Sequence, residues 1–229
     1  MRDYANSAEL RSLIALHSLP SLRYDYPDGW MAPADLAAIY NIARRTLGAV
    51  LEIGPWLGRS TSAICAGLRD SAVKPTPFFD VIDFGITGPD EWQELFGVPF
   101  DPTMANGIAA RAIYHPGGTN AVLVDNLRRN ELLKFTTSIT RGNFLQMPTS
   151  RKYDFLFCDT AHDETEAALY LPKISSVVNS GAWLIFDDVV REDLAEYICS
   201  HFNLDSALMT SHVAQYSKLL VLSTRAGTT

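Results

Sequence analysis

Three short stretches of this chain, residues 49–54, 153–158 and 182–186, are nearly unbroken apolar runs. A strand that is apolar at almost every position has no face left for water, so it belongs in a parallel sheet covered by helices on both sides. Residues 78–84 and 138–141 add two further strand patterns, the second ending at Gly142-Asn143. Between these runs the spacing turns helical. Leu36, Ile39, Tyr40, Ala43 and Leu47 follow Pro33 at helical intervals, residues 60–68 follow the first strand, and residues 119–135 carry Leu123, Val124 and Leu127 on one side. Asp163, with Glu166 three residues on, is a capping-box variant that opens another helix, which Pro172 is expected to break before Gly181 closes the segment. Residues 192–202 bury Leu194, Tyr197, Ile198 and Phe202 in a last helix. The tail offers two strands, around 207–212 and 218–223, close enough to pair as a hairpin. The alternation predicts an α/β fold: a Rossmann-like doubly wound sheet, mostly parallel, with an antiparallel C-terminal hairpin strand.

The chain has 229 residues, 47% of them hydrophobic and 20% charged, and no low-complexity linker, which predicts one domain over residues 1–229. Residues 85–118 break the alternation. They are rich in Gly, Pro and aromatics and far outrun an ordinary connection of about 2–6 residues, so they read either as a surface excursion or as a lid and acceptor insertion. Nineteen Lys and Arg against twenty-six Asp and Glu give a net charge of −7, with no basic cluster to neutralise phosphates, so nucleic acid is not an expected partner. No apolar run approaches the ~18 residues that span a bilayer, and the N-terminal residues place acids where a signal peptide needs apolar groups. Cys65, Cys158 and Cys199 are odd in number and far apart, and read as buried thiols of a reducing compartment. The expected setting is the cytoplasm, away from membranes. A homo-oligomer is compatible with the sequence.

The turn after the first strand carries the first chemistry. Glu52-Ile-Gly54-Pro-Trp-Leu-Gly58-Arg-Ser60 takes a strand through two glycines into a helix headed by Ser60 and Thr61. Glycines let backbone approach a ligand, and the helix start offers unpaired amides. The spacing is not the GxGxxG of a dinucleotide site, and an acid two residues before the first glycine repels pyrophosphate but suits an ammonium-bearing ligand. Asp83 ends the second strand, where a carboxylate can accept both hydroxyls of a ribose, though it also suits a turn cap. Trp30 and Met31, with Tyr24 and Tyr26, precede the first long helix and suit either a cover for a ligand or core packing.

At these residues the chain resembles class I S-adenosylmethionine-dependent methyltransferases. The ExGxxxGxS motif is similar to the first motif of the catechol and macrocin O-methyltransferase groups. The resemblance implies S-adenosyl-L-methionine held by Glu52, Gly54, Gly58 and Ser60, with Asp83 on its ribose. Asn143 stands where many relatives carry an acid after the third strand, at the place of an adenine contact.

Asp159 ends the strand of residues 153–158, and Asp187-Asp188 follow residues 182–186. Adjacent parallel strands lie about 4.8 Å apart, so their ends can deliver carboxylates to one volume, where mutual repulsion favours a hard divalent cation such as Mg²⁺. Each aspartate alone also suits a helix cap. Metal-dependent relatives carry a metal aspartate, a base three residues later and an acidic pair after the next strand. The resemblance therefore implies Asp159, Asp187 and Asp188 as metal ligands and His162 as the base, although Thr160 stands where relatives often have Gly. His17, His201 and His212 carry no partner pattern, and no GxSxG elbow supports hydrolysis. The expected activity is a metal-assisted O-methyltransferase acting on a hydroxyl of a small molecule, a natural-product sugar or a phenol. The rival readings are a non-methylating cyclisation or pericyclic catalyst on the same fold, and a non-catalytic binding protein.

Overall fold

Side chains alternate across a strand, so an unbroken apolar run feeds two cores at once. In a computed structural model, Leu184 and Phe186 pack into one layer while Trp183 and Ile185 pack into the other. Val50 and Leu51 divide in the same way. The structure describes Ser12 and residues 18–148, 151–204 and 207–224; His17 and most of the N-terminal segment considered above lie outside the described residues.

In chain order the main elements are α1 (Pro33–Arg45), β1 (Val50–Ile53), α2 (Arg59–Asp70), β2 (Phe79–Asp83), α3 (Pro89–Phe96), α4 (Ile108–Ile113) and α5 (Gly118–Arg129). They continue with β3 (Ser138–Arg141), β4 (Tyr153–Cys158), α6 (Glu164–Val177), β5 (Val178–Phe186), α7 (Glu192–His201), β6 (Ala207–Met209) and β7 (Leu220–Ser223). The sheet order is β3-β2-β1-β4-β5-β7-β6. The first five strands run parallel, and β7 enters antiparallel between β5 and β6. The expected doubly wound sheet and its antiparallel hairpin are therefore present. Strand order reverses beside β1, the topological switch at which ligands bind such sheets. The carboxyl ends of β1, β4 and β5 are neighbours there, so Gly54, Asp159 and Asp187 emerge side by side.

Four local expectations change. Residues 85–118 are not irregular: they hold α3 and α4, with Trp92 and Ile113 buried in a small core of their own. Pro172 does not break α6 but lies inside it. Leu171 and Ile174 beside it are fully buried, and packing outweighs the lost backbone hydrogen bond. Gly181 accordingly sits within β5 rather than closing the segment. Finally, α5 ends at Arg129, and Tyr197 on α7 is exposed, because the apolar face of α7 is narrower than its composition implies.

Candidate active site

The switch point opens into a cavity of about 520 Å³. Its lining includes Gly54, Ser60, Asp83, Asn143, Asp159, His162, Asp187 and Asp188, which gathers most of the sequence-derived site residues in one place. A larger cleft of about 960 Å³ between residues 19–28 and helices α4 and α5 holds none of them, although Tyr24 and Tyr26 line it. Trp30 and Met31 line the smaller cavity. Arg59 fastens their segment over the start of α2 by donating to the carbonyls of Met31 at 3.0 Å and Pro27 at 2.9 Å.

The glycine turn is shaped by contact rather than composition. Gly54 has φ 81°, and a Cβ there would lie 2.7 Å from the Asp159 carbonyl oxygen. The turn and the Asp159 loop thus touch backbone to backbone, an approach only glycine permits. Gly58, at φ 93°, caps α2, and a Cβ there would meet Leu123 of α5 at 2.5 Å. Gly58 and Glu52 do not line the cavity. Glu52 is fully buried behind it, where Ser60 Oγ donates to its Oε1 at 2.5 Å and its Oε2 has no hydrogen-bond partner among the described residues. Burial pushes its carboxyl up to about 7. Glu52 therefore reaches the cavity wall only through its hydrogen bond with Ser60.

Asp83 accepts from the Gly85 amide at 2.6 Å, and burial raises its carboxyl to about 6. Asn143 accepts from the Leu145 amide at 2.9 Å, closing a short turn at the cavity wall. One side of the cavity is apolar: Trp30, Leu95, Phe96 and Leu169 line it and are exposed. The Trp30 and Trp56 rings are 6.1 Å apart, and Trp56 meets Trp92 edge-on at 6.5 Å.

The acidic end is organised around His162. Its Nδ1 lies 3.0 Å from Glu166 Oε2, its Nε2 3.2 Å from Asp159 Oδ1 and 4.0 Å from Asp188 Oδ2. Its backbone amide also donates to Glu166 Oε2 at 2.8 Å, so one carboxylate fixes both ring and main chain. The hydrogen bond to Asp159 raises the imidazole to about 9; burial opposes this, while the charges of Asp159, Glu166 and Asp188 reinforce it. One atom each from Asp159, His162 and Asp188 lies within 4.8 Å of the other two, and the two carboxylates offer hard oxygens that suit a divalent cation beside the imidazole.

Asp187 is not in that group. Only 3% exposed, it accepts from the Asp188 amide at 2.9 Å and turns Oδ2 toward Lys218 Nζ at 3.6 Å. Both carboxylates nonetheless face the Lys218 ammonium, Asp188 Oδ1 at 2.6 Å and Asp187 Oδ2 at 3.6 Å. Burial and the nearby Asp159 charge raise the Asp187 carboxyl. Glu166 and Lys218 had been passed over as site residues. Glu166 was legible only as a helix-capping acid, though its place four residues after His162 on a helix start was a usable signal. Lys218 arrives from the distant segment before β7 and carries no local signal.

The fold and the cavity define a class I S-adenosylmethionine-dependent methyltransferase. The O-methyltransferase NovP is similar in fold, at 17% identity over 95% of this chain and 96% of that one, with a TM-score of 0.60. The O-methyltransferase from Bacillus cereus in complex with SAH is similar at 16% identity over 94% and 88%, TM-score 0.53. CalS11, a calicheamicin methyltransferase, is similar at 16% identity over 82% and 76%, also at 0.53. No curated protein matches the chain in sequence. A family model described as a methyltransferase domain matches residues 51–189, and the chain belongs to that family. The family's methyl donor is S-adenosylmethionine. Among the described residues no helix is long and apolar enough to cross a membrane.

Proposed function

We propose that this methyltransferase acts on a hydroxyl of a small molecule with an apolar body, aided by a divalent cation, with His162 as the base. The observation that carries the reading is the imidazole held between Glu166 and Asp159 while facing Asp188 in the same cavity as the glycine turn. Gly54 and Ser60 offer the close backbone and helix start for the methyl donor, Asp83 presents its carboxylate to the ribose, and Asn143 closes the wall beside the base. The bound donor supplies an electrophilic sulfonium methyl. A divalent cation would be held by Asp159 and Asp188, where it would supply positive charge that lowers the pKa of a nearby hydroxyl and offsets the carboxylates around His162. His162 then accepts the hydroxyl proton, and Glu166 steadies the ring as its charge grows. The exposed Trp30, Leu95, Phe96 and Leu169 favour an acceptor with aromatic or polyketide-like surface, such as a phenol or the sugar of a larger natural product, and the likeness to a calicheamicin methyltransferase agrees with this.

The test is mass spectrometry of hydroxylated acceptors with S-adenosylmethionine, before and after chelation. A gain of one methylene that disappears with chelator and returns with Mg²⁺ is expected. An isomer of unchanged mass would overturn methyl transfer, and a full rate in chelator would overturn the metal. Residues 85–118 are assigned the acceptor wall and lid, because α3 brings Trp92, Leu95 and Phe96 to the cavity. S-adenosylhomocysteine together with acceptor is expected to slow proteolytic cleavage within 97–107, between α3 and α4. Unchanged cleavage rates would remove the lid role.

A further inference from the structure

Lys218 is the one lysine placed among the acidic side chains of the cavity, and its position is built rather than incidental. Its backbone amide donates to Asp35 Oδ2 at 3.1 Å, and its carbonyl accepts from the Val189 amide at 2.9 Å. Asp35 is itself fully buried on α1 and accepts from Thr210 Oγ1 at 2.8 Å. The main chain at Lys218 is thus pinned from two directions, and its side chain, 17% exposed, is aimed at the acidic pair. Its Nζ donates to Asp188 Oδ1 at 2.6 Å and lies 3.6 Å from Asp187 Oδ2. Asp35 and Lys218 both fall outside residues 51–189, so the family match says nothing of this arrangement.

The Asp188 carboxylate is therefore shared. One oxygen faces the ammonium and the other faces His162 and Asp159. A divalent cation on Asp159 and Asp188 would share a ligand with Lys218 at close range, in a partly buried setting where like charges are poorly screened. Resting on the metal-assisted reading above, we infer that Lys218 is a resident counter-cation that competes with the divalent metal for Asp188. It keeps the acidic cluster assembled when metal is absent and makes metal binding weak and exchangeable.

The test is titration of the full chain with Mn²⁺, followed by calorimetry and by the electron paramagnetic resonance of free Mn²⁺. Lys218→Met should bind Mn²⁺ at least about ten-fold more tightly than the parent, and Lys218→Arg, which keeps the charge, should bind like the parent. In chelator Lys218→Met should melt below the parent, and Mn²⁺ should raise its Tm by more than it raises the parent's. Lys218→Gln gives the same comparison if the methionine variant does not fold, with S-adenosylhomocysteine affinity as the check on folding. Equal or weaker Mn²⁺ binding in the charge-removing variants would overturn the competition and leave the metal reading standing. Binding absent from parent and variants alike would overturn both.

Discussion

Glutamine in place of His162 should lower turnover by about two to four decades while leaving the affinity for S-adenosylhomocysteine unchanged. The size follows from the chemistry. A hydroxyl proton must leave as the oxygen takes the methyl, and glutamine can reproduce a hydrogen bond to Asp159 or Glu166 but cannot hold the proton. The cofactor affinity is spared because Gly54 and Asp83 lie at other strand ends and Ser60 at the start of α2. Glu166→Gln should cost less, about ten-fold, since it removes the group that orients the ring and leaves the ring itself. With metal stripped, the neutral imidazole becomes available only as the pH nears about 9, so residual turnover should climb steeply over the alkaline range. Single-turnover rates measured across pH, with and without Mg²⁺, separate these outcomes. Turnover in His162→Gln within a few-fold of the parent would remove the base.

The ligand-free protein should be most stable near pH 4 and lose several kcal/mol by pH 9. Glu52, Asp83 and Asp187 all have carboxyls raised by burial, so their unfolded forms ionise first as pH rises. The native state then holds more protons than the unfolded state, and stability falls with pH. For Glu52 the ordinary value is 4.5 and the folded value about 7, which costs up to about 3 kcal/mol by pH 8. His162 works in the same direction. Raised to about 9, its charged form stabilises the fold below 6.5, and that contribution disappears as pH climbs through 9. Below about pH 4 the sign reverses, because Asp70, held low by Arg69, loses its stabilising charge as it is protonated. Urea unfolding at pH 5, 6, 7 and 8 reads the slope. Glu52→Gln should flatten it between pH 5 and 7 by about one proton. A stability that rises from pH 5 to 8 would contradict the burial of these acids.

The sheet was legible because its signal is local. Unbroken apolar runs at β1, β4 and β5 have no folded home other than a covered parallel sheet, and the residues that end those strands fall at one sheet edge whatever the helices do. Gly54, Asp83, Asp159, His162 and Asp188 could therefore be assigned to one site before any coordinates. The helices within 85–118 were hidden because their glycines and prolines serve as caps and first-turn residues there, and composition alone does not separate a cap from a loop. Pro172 misled for the opposite reason: local propensity says break, and tertiary packing overrules it.

The sequence by itself determined which residue types stand at the strand ends, since strand and turn are decided over a few neighbours. Only the tertiary structure decided their charge states and partners. Glu52 sits behind the cavity rather than in it, Asp187 is buried against Lys218, and Lys218 enters the acidic cluster from the segment before β7, held there by Asp35 of α1. Each of these depends on burial and on distances between segments far apart in the chain. Electrostatic energy depends on distance in space and on exposure to water, and no spacing along a sequence encodes either.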